Sequence, residues 1–219
     1  MSQTSKPRVL MADDHSIFLA GVRKLIEDQC EVVGTVEDGR ALLEAAERLK
    51  PELILLDISM PLLNGLEAAR HLRKTLPEAK LLFLTMHASS RYATEVFKVG
   101  AHGFLLKQSA ASELPQAIDS VLKGKHYLTP SIAKPMIDQA LRAKEAPNVK
   151  GDEKQLTPRQ REILQLIGEG KGTKEIATLL NLSVKTIQFH KSCLMQELDI
   201  HTTAELIRYA IMQGFADAE

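Results

Sequence analysis

Three carboxylates, Asp13, Asp14 and Asp57, stand directly after short apolar runs, and Lys107 does the same, while Thr85 closes a run of its own. Taken singly, each has an ordinary explanation: an acid pair opening a helix, a strand threonine, a surface lysine. Brought to one place, they would do one kind of chemistry. Clustered carboxylates repel one another unless a hard divalent cation such as Mg²⁺ sits among their oxygens. An aspartate beside that cation can accept a phosphoryl group as an acyl phosphate. An ammonium and a hydroxyl would then stabilise the transferred oxygens.

The elements that must position these groups are legible in the first half of the chain. Five runs read as strands buried on both faces: Arg8–Ala12, Glu31–Val36, Leu53–Leu56, Lys80–Thr85 and Gly103–Leu106. Amphipathic segments alternate with them, as a parallel sheet covered by helices requires. Phe18, Val22, Leu25 and Ile26 stripe the first helix, and Leu42, Ala46 and Leu49 stripe a second that Asp38 caps. Leu114, Ile118, Val121 and Leu122 stripe a later one that ends at Gly124, and there Ser112 is the expected cap, placing Pro115 in the first turn. In a doubly wound sheet, ligands bind at the carboxyl ends of the strands, so all five groups are expected around one pocket.

The motifs Met11-Ala12-Asp13-Asp14-His15, Leu56-Asp57-Ile58-Ser59-Met60-Pro61-Leu62-Leu63-Asn64-Gly65, Leu84-Thr85-Met86-His87 and Gly103-Phe104-Leu105-Leu106-Lys107 resemble the receiver domain of NarL/FixJ-type response regulators, over about residues 7–125. The resemblance implies a flavodoxin-like fold of five parallel strands in the order 2-1-3-4-5. It implies that Asp57 takes phosphate from a sensor histidine kinase. Asp14 and Asp57 would hold Mg²⁺ directly with the Ser59 backbone carbonyl, and Asp13 would help through water. It further implies a switch in which Thr85 and Lys107 move toward the phosphoryl group and Phe104 changes rotamer.

Residues 126–153 read as a partly helical linker: Thr129-Pro130 could open a helix, Pro135 would strain it, and Ala146–Asp152 has no apolar period. From 154 to 219, four short helices follow without a strand, opened at Thr157-Pro158, Thr173, Ser183 and Thr202. Leu156–Leu164, Gly168–Ala177 and Leu182–His190 resemble a LuxR-type helix-turn-helix. That likeness implies that Thr173–Leu180 supports, Val184–Leu198 enters the major groove of double-stranded DNA, and the last helix dimerises. In the third helix, Val184, Ile187, Leu194 and Leu198 are expected to face a core. Lys185, Gln188, Phe189 and Ser192 fall at i, i+3, i+4, i+7 and are expected to face outward.

Gln pairs with adenine and an aromatic ring touches a thymine methyl, so the outward face suits base reading. Lys171, Lys174, Lys185 and Lys191, with Thr173 and Thr186, suit phosphates. The family often carries basic residues where this chain has Gln188 and Ser192, so no operator can be borrowed from a relative. His190 falls inward, with no second metal ligand nearby in sequence.

Composition bounds the partners. With 28 basic and 28 acidic residues in 219, no global field steers the chain to nucleic acid, and attraction must come from a patch. Residues 171–191 supply one, four lysines against the single acid Glu175. No stretch is long and apolar enough to cross a membrane and the polar first residues lack a signal peptide's apolar core, so a cytoplasmic location is expected. Cys30 and Cys193 lack the spacing of a zinc site or disulfide framework. An aspartyl phosphatase would carry a second acid two residues beyond its nucleophile. Here that position is Ser59, which argues against a turnover enzyme. The remaining rival is a module whose helices bind protein rather than DNA. The expected whole is a phosphorylation-controlled regulator that forms a homodimer when phosphorylated.

Overall fold

The computed structural model describes residues 6–145 and 156–216. The chain divides into two compact units, one built on the sheet and one of helices only.

In the first unit, β1 (Arg8–Ala12), β2 (Glu31–Val36), β3 (Leu53–Leu56), β4 (Lys80–Thr85) and β5 (Gly103–Leu106) form at the expected residues. Helices α1 (Ser16–Ile26), α2 (Gly39–Leu49), α3 (Gly65–Thr75), α4 (Ser90–Lys98) and α5 (Ala110–Leu122) alternate with them. The strands are parallel in the order 2-1-3-4-5, followed by a sixth, short strand. One sheet face packs Met11, Leu55, Leu84 and Leu105 against Leu19, Val22, Ile26, Leu114 and Ile118 of α1 and α5. Alternate residues Leu10, Ile54, Phe83 and Phe104 are fully buried on the other face. Burial on both faces is why β1, β3, β4 and β5 read as continuously apolar, whereas β2, expected to be buried likewise, is an edge strand with Glu31 and Thr35 exposed and its other residues only half-buried. Asp38 caps α2 as expected, its carboxylate accepting from Arg40 N and Ala41 N at 2.8 Å.

Three local expectations are corrected. Leu25 is 39% exposed, and the buried stripe of α1 is Leu19, Val22 and Ile26. Helix α5 does not start at a Ser112 cap: a 3₁₀ turn over Lys107–Ser109 leads straight into Ala110. The Ser112 hydroxyl instead donates back to the Ser109 carbonyl at 3.1 Å. Pro115 is therefore the sixth helical residue. The carbonyl it leaves without an intrahelical donor belongs to exposed Ala111, where water can serve.

The third correction is that the sheet does not end at residue 125. Strand β6 (Tyr127–Leu128) adds to β5 in parallel, and α6 (Pro130–Glu145) follows with Pro135 inside it. The part of the expected linker from 146 to 153 lies outside the described residues. Thr129 seals the junction, its amide donating to the Phe104 carbonyl at 3.0 Å and its hydroxyl accepting from Leu106 N at 3.1 Å. Thr129→Val keeps the shape but leaves a buried amide unpaired. The receiver unit is expected to lose about 1–3 kcal/mol. Hydrogen exchange at the Leu106 amide checks this, with Thr129→Ser as the conservative control.

Near the start of β4, on its β5-facing edge, the Leu81 amide donates to His102 Nδ1 at 3.3 Å, and the His102 ring stacks on His126, which meets Phe97 edge-on. Burial pushes His102 down to about 4, with Lys80, Arg73 and His126 adding to the effect. Between its ordinary value of 6.5 and about 4, the unfolded chain binds a proton that the folded chain refuses. This contribution to stability is therefore complete above pH 6.5 and is lost as pH falls through that window. Melting at pH 7 and pH 5 is expected to show a larger drop for the wild type than for His102→Asn, whose side-chain oxygen can still accept from Leu81.

The second unit contains α7 (Pro158–Gly168), α8 (Thr173–Leu179), α9 (Val184–Leu198) and α10 (Thr203–Met212). Reciprocal bonds between Thr157 and Gln160 open α7, Ser183 accepts from Thr186 N at α9, and Thr202 accepts from Glu205 N at α10. Ile163, Leu166, Ile176, Ile187, Leu194 and Leu206 form the centre of its core. Among the described residues, no helix is long and apolar enough to cross a membrane.

Candidate functional site

Strand register builds the pocket. Ala12 lies opposite Leu56 across β1 and β3, so Asp13 and Asp57 leave the sheet side by side. Thr85 lies opposite Leu106 across β4 and β5, which places Lys107 one residue beyond it. The Lys107 ammonium sits between the two acids, 2.7 Å from Asp13 Oδ2 and 2.6 Å from Asp57 Oδ2. All three side chains are almost fully buried. The Lys107 Nζ also lies 4.9 Å from the centre of the Phe18 ring.

Burial pushes the Asp57 carboxyl up, and the neighbouring Asp13 charge adds to this, against the opposing pull of Lys107 and of Ile58 N, which donates at 2.6 Å. Burial alone would lower Lys107, but Asp57 and Asp13 outweigh it and hold the ammonium above its ordinary range. The two directions agree physically: one cation serves two acids, so one negative charge stays uncompensated. Asp14 is more exposed, and together Asp13, Asp14, His15 and Asp57 bring ligand atoms within 4.8 Å of one another. Three carboxylates with one ammonium suit a hard divalent cation bound through oxygen.

Other expected residues are at the same end of the sheet. Thr85 is fully buried, and its hydroxyl accepts from His87 N at 3.2 Å. The Ser59 hydroxyl lies 2.8 Å from His87 Nε2, and the His87 ring stacks on Tyr92. Phe104 is fully buried in the sheet face beneath.

Sequence reasoning missed His15, whose Nδ1 lies 3.1 Å from Asp13 Oδ1 and 2.8 Å from Asp14 Oδ1. Its place directly after the acid pair was the available signal. Gly65 was quoted only as part of a motif. A Cβ there would lie 1.9 Å from the Asp57 carbonyl oxygen, so only glycine lets α3 begin this close behind Asp57.

In the helical unit, Lys185, Gln188, Phe189 and Ser192 are all exposed on α9, as their spacing predicts. Val184 is the correction: expected in the core, it is 38% exposed, because it lies in the first turn of α9, where the buried stripe begins only at Ile187. Ile187 and Leu194 are fully buried and Leu198 packs at the core's edge. Lys171 and Lys174 are exposed, while Thr173, Thr186, His190 and Lys191 are half-buried. Lys191 donates to the Thr203 hydroxyl at 2.7 Å, and Glu175 accepts from Gly172 N.

A doubly wound sheet with an acid cluster and a lysine at its carboxyl edge, in one chain with a helix-turn-helix, defines a class of signalling regulators. Residues 9–119 match the response regulator receiver domain, and residues 154–210 match the luxR family of bacterial regulatory proteins. The chain belongs to the NarL/FixJ-type response regulators. It is 35% identical over 216 residues to the transcriptional regulatory protein MctR of Rhizobium johnstonii, covering 98% of this chain and 97% of that one. A structure of the Salmonella typhimurium RcsB response regulator aligns with a TM-score of 0.63 at 29% identity, covering 94% and 97% of the two chains. A structure of two RcsB dimers bound to two parallel DNAs aligns at 0.57 and 30% identity, covering 94% and 98%.

Proposed function

We propose that Asp57 accepts a phosphoryl group from the phosphohistidine of a sensor kinase, and that the modified receiver promotes homodimerisation and sequence-specific DNA binding in the cytoplasm. The observation that carries this reading is the Asp57 carboxylate, buried, paired with Lys107 and adjoining Asp13 and Asp14, in one chain with an exposed α9 face. In this proposal an Asp57 oxygen attacks phosphorus, the P–N bond breaks, and the kinase imidazole leaves with a proton.

Asp14 and Asp57, with the Ser59 backbone carbonyl, would hold Mg²⁺, and Asp13 would reach it through water. When bound, the ion offsets charge on the phosphate oxygens and the acids. Lys107 is already within bonding distance of Asp57 and needs only a short shift to meet a phosphoryl oxygen. Thr85 gives up its bond from His87 N to do the same, and the space it vacates is taken by the Phe104 ring.

On DNA, Lys171, Thr173, Lys174, Lys185, Thr186 and Lys191 contact phosphates, and Gln188, Phe189 and Ser192 face the bases. The likeness to RcsB, a structure of which holds two dimers bound to two DNAs, supports the DNA-binding reading. The receiver assists its own phosphorylation and hydrolysis without acting as a turnover enzyme.

The test is a selection of random-sequence duplexes by the full-length protein, with and without a small-molecule phosphodonor, using wild type and Asp57→Asn. The expected result is donor-dependent enrichment of one motif by wild type alone. Equal enrichment by both proteins would overturn phosphorylation control, and no enrichment under any condition would overturn DNA binding.

A further inference from the structure

The outward turn of Val184 changes what α9 presents. At about 100° per residue, the exposed face runs from Val184 through Gln188, Ser192 and Lys185 to Phe189. Two apolar side chains, 38% and 63% exposed, therefore stand at the edges of the stripe, with polar groups between them. Such groups in water do nothing for the fold, whose core on this helix is Ile187 and Leu194.

The centre of the face is also nearly free of charge. Lys185 is its one cation, while Lys171 and Lys174 are exposed outside this helix. That division fits a basic periphery against phosphates and a neutral, partly apolar centre against base edges. In the major groove the one apolar feature is the thymine C5-methyl, and the adenine N6/N7 pair is the pattern a carboxamide meets with two hydrogen bonds. Guanine instead asks for two donors from arginine or lysine, and this face has a single lysine to offer.

Resting on the DNA-binding reading above, we infer that α9 reads adjacent A·T pairs, with Gln188 taking adenine and Phe189, with Val184 on the other edge, packing on thymine methyl groups. Phe189 is thus a specificity-determining residue that acts through methyl contact.

The experiment starts from the tightest duplex selected by the phosphorylated full-length protein and replaces each thymine in turn by deoxyuridine, which deletes only the methyl. Wild type is expected to lose about fourfold in affinity at one or two thymines, the worth of one buried methyl. Phe189→Ala is exposed enough to leave the fold intact. It is expected to bind the unmodified duplex more weakly and to be indifferent to uracil at its own thymine, so that the two losses do not add. Gln188→Ala should relax the choice of base at one neighbouring position by about tenfold. Lys185→Ala should weaken all duplexes alike and reduce the salt dependence. A tight site with a flat uracil scan, or one with G·C pairs at the centre of each half-site, overturns this inference and leaves DNA binding standing. A selection that enriches nothing overturns both.

Discussion

Asp57→Asn protein mixed with Mg²⁺ and a small-molecule phosphodonor is expected to show no phosphoryl adduct by intact-mass measurement, under conditions in which the wild type gains one. The amide has no anionic oxygen to attack phosphorus, and no other carboxylate in the pocket can take over. Asp13 is already engaged by Lys107 and by the His15 amide, and Asp14 is engaged by the His15 ring. The substitution should not harm the fold. It removes one of two acids that compete for Lys107, leaving Asp13 and Lys107 as a one-to-one pair. Stability equal to or above wild type, together with complete loss of the adduct, is the expected signature. An adduct of wild-type yield would assign the phosphoryl group to another residue and remove the basis of the proposed switch.

Lys107→Met has the largest expected effect on stability. Methionine preserves volume and the packing against Phe18 but withdraws the charge that lies 2.7 and 2.6 Å from two buried carboxylates. Breaking a buried pair in this way typically costs about 3–5 kcal/mol. Burial and Asp13 already push Asp57 up, so without Lys107 its folded-state affinity for a proton rises further. The folded receiver then binds more protons than the unfolded chain above the ordinary carboxylate range. The stability this proton confers is present at low pH and lost as pH rises through the raised value. The deficit relative to wild type should therefore be small in acid and full near neutrality. Added Mg²⁺ should recover part of it, because a cation among Asp13, Asp14 and Asp57 restores positive charge. Hydrogen exchange at the β1 and β3 amides reports this unit without averaging over the helical one. A deficit unchanged by pH and by Mg²⁺ would mean that the loss is packing, not charge.

The pocket was legible because its chemistry is tied to strand ends. Asp13, Asp57, Thr85 and Lys107 each end or follow an apolar run, and parallel strands deliver their carboxyl ends to one edge. Periodicity also located the helices, since burial of one face leaves a repeating mark in the sequence. It resolved faces less well than elements. Leu25 and Val184 have apolar side chains at helical spacing, yet they are 39% and 38% exposed.

Amino-acid order by itself therefore determined the five long strands, the helices between them, the capped four-helix module and the company of acids, hydroxyl and lysine at one edge. Tertiary structure alone decided that two acids share one ammonium, that His15 bridges the acid pair, and that Tyr127–Thr129 joins the sheet beside Phe104 and Leu106. The reason is range. A strand or helix records its burial in its own residues, whereas β6 is held by backbone and hydroxyl bonds to a segment 23 residues earlier, and such a partner leaves no local pattern to read.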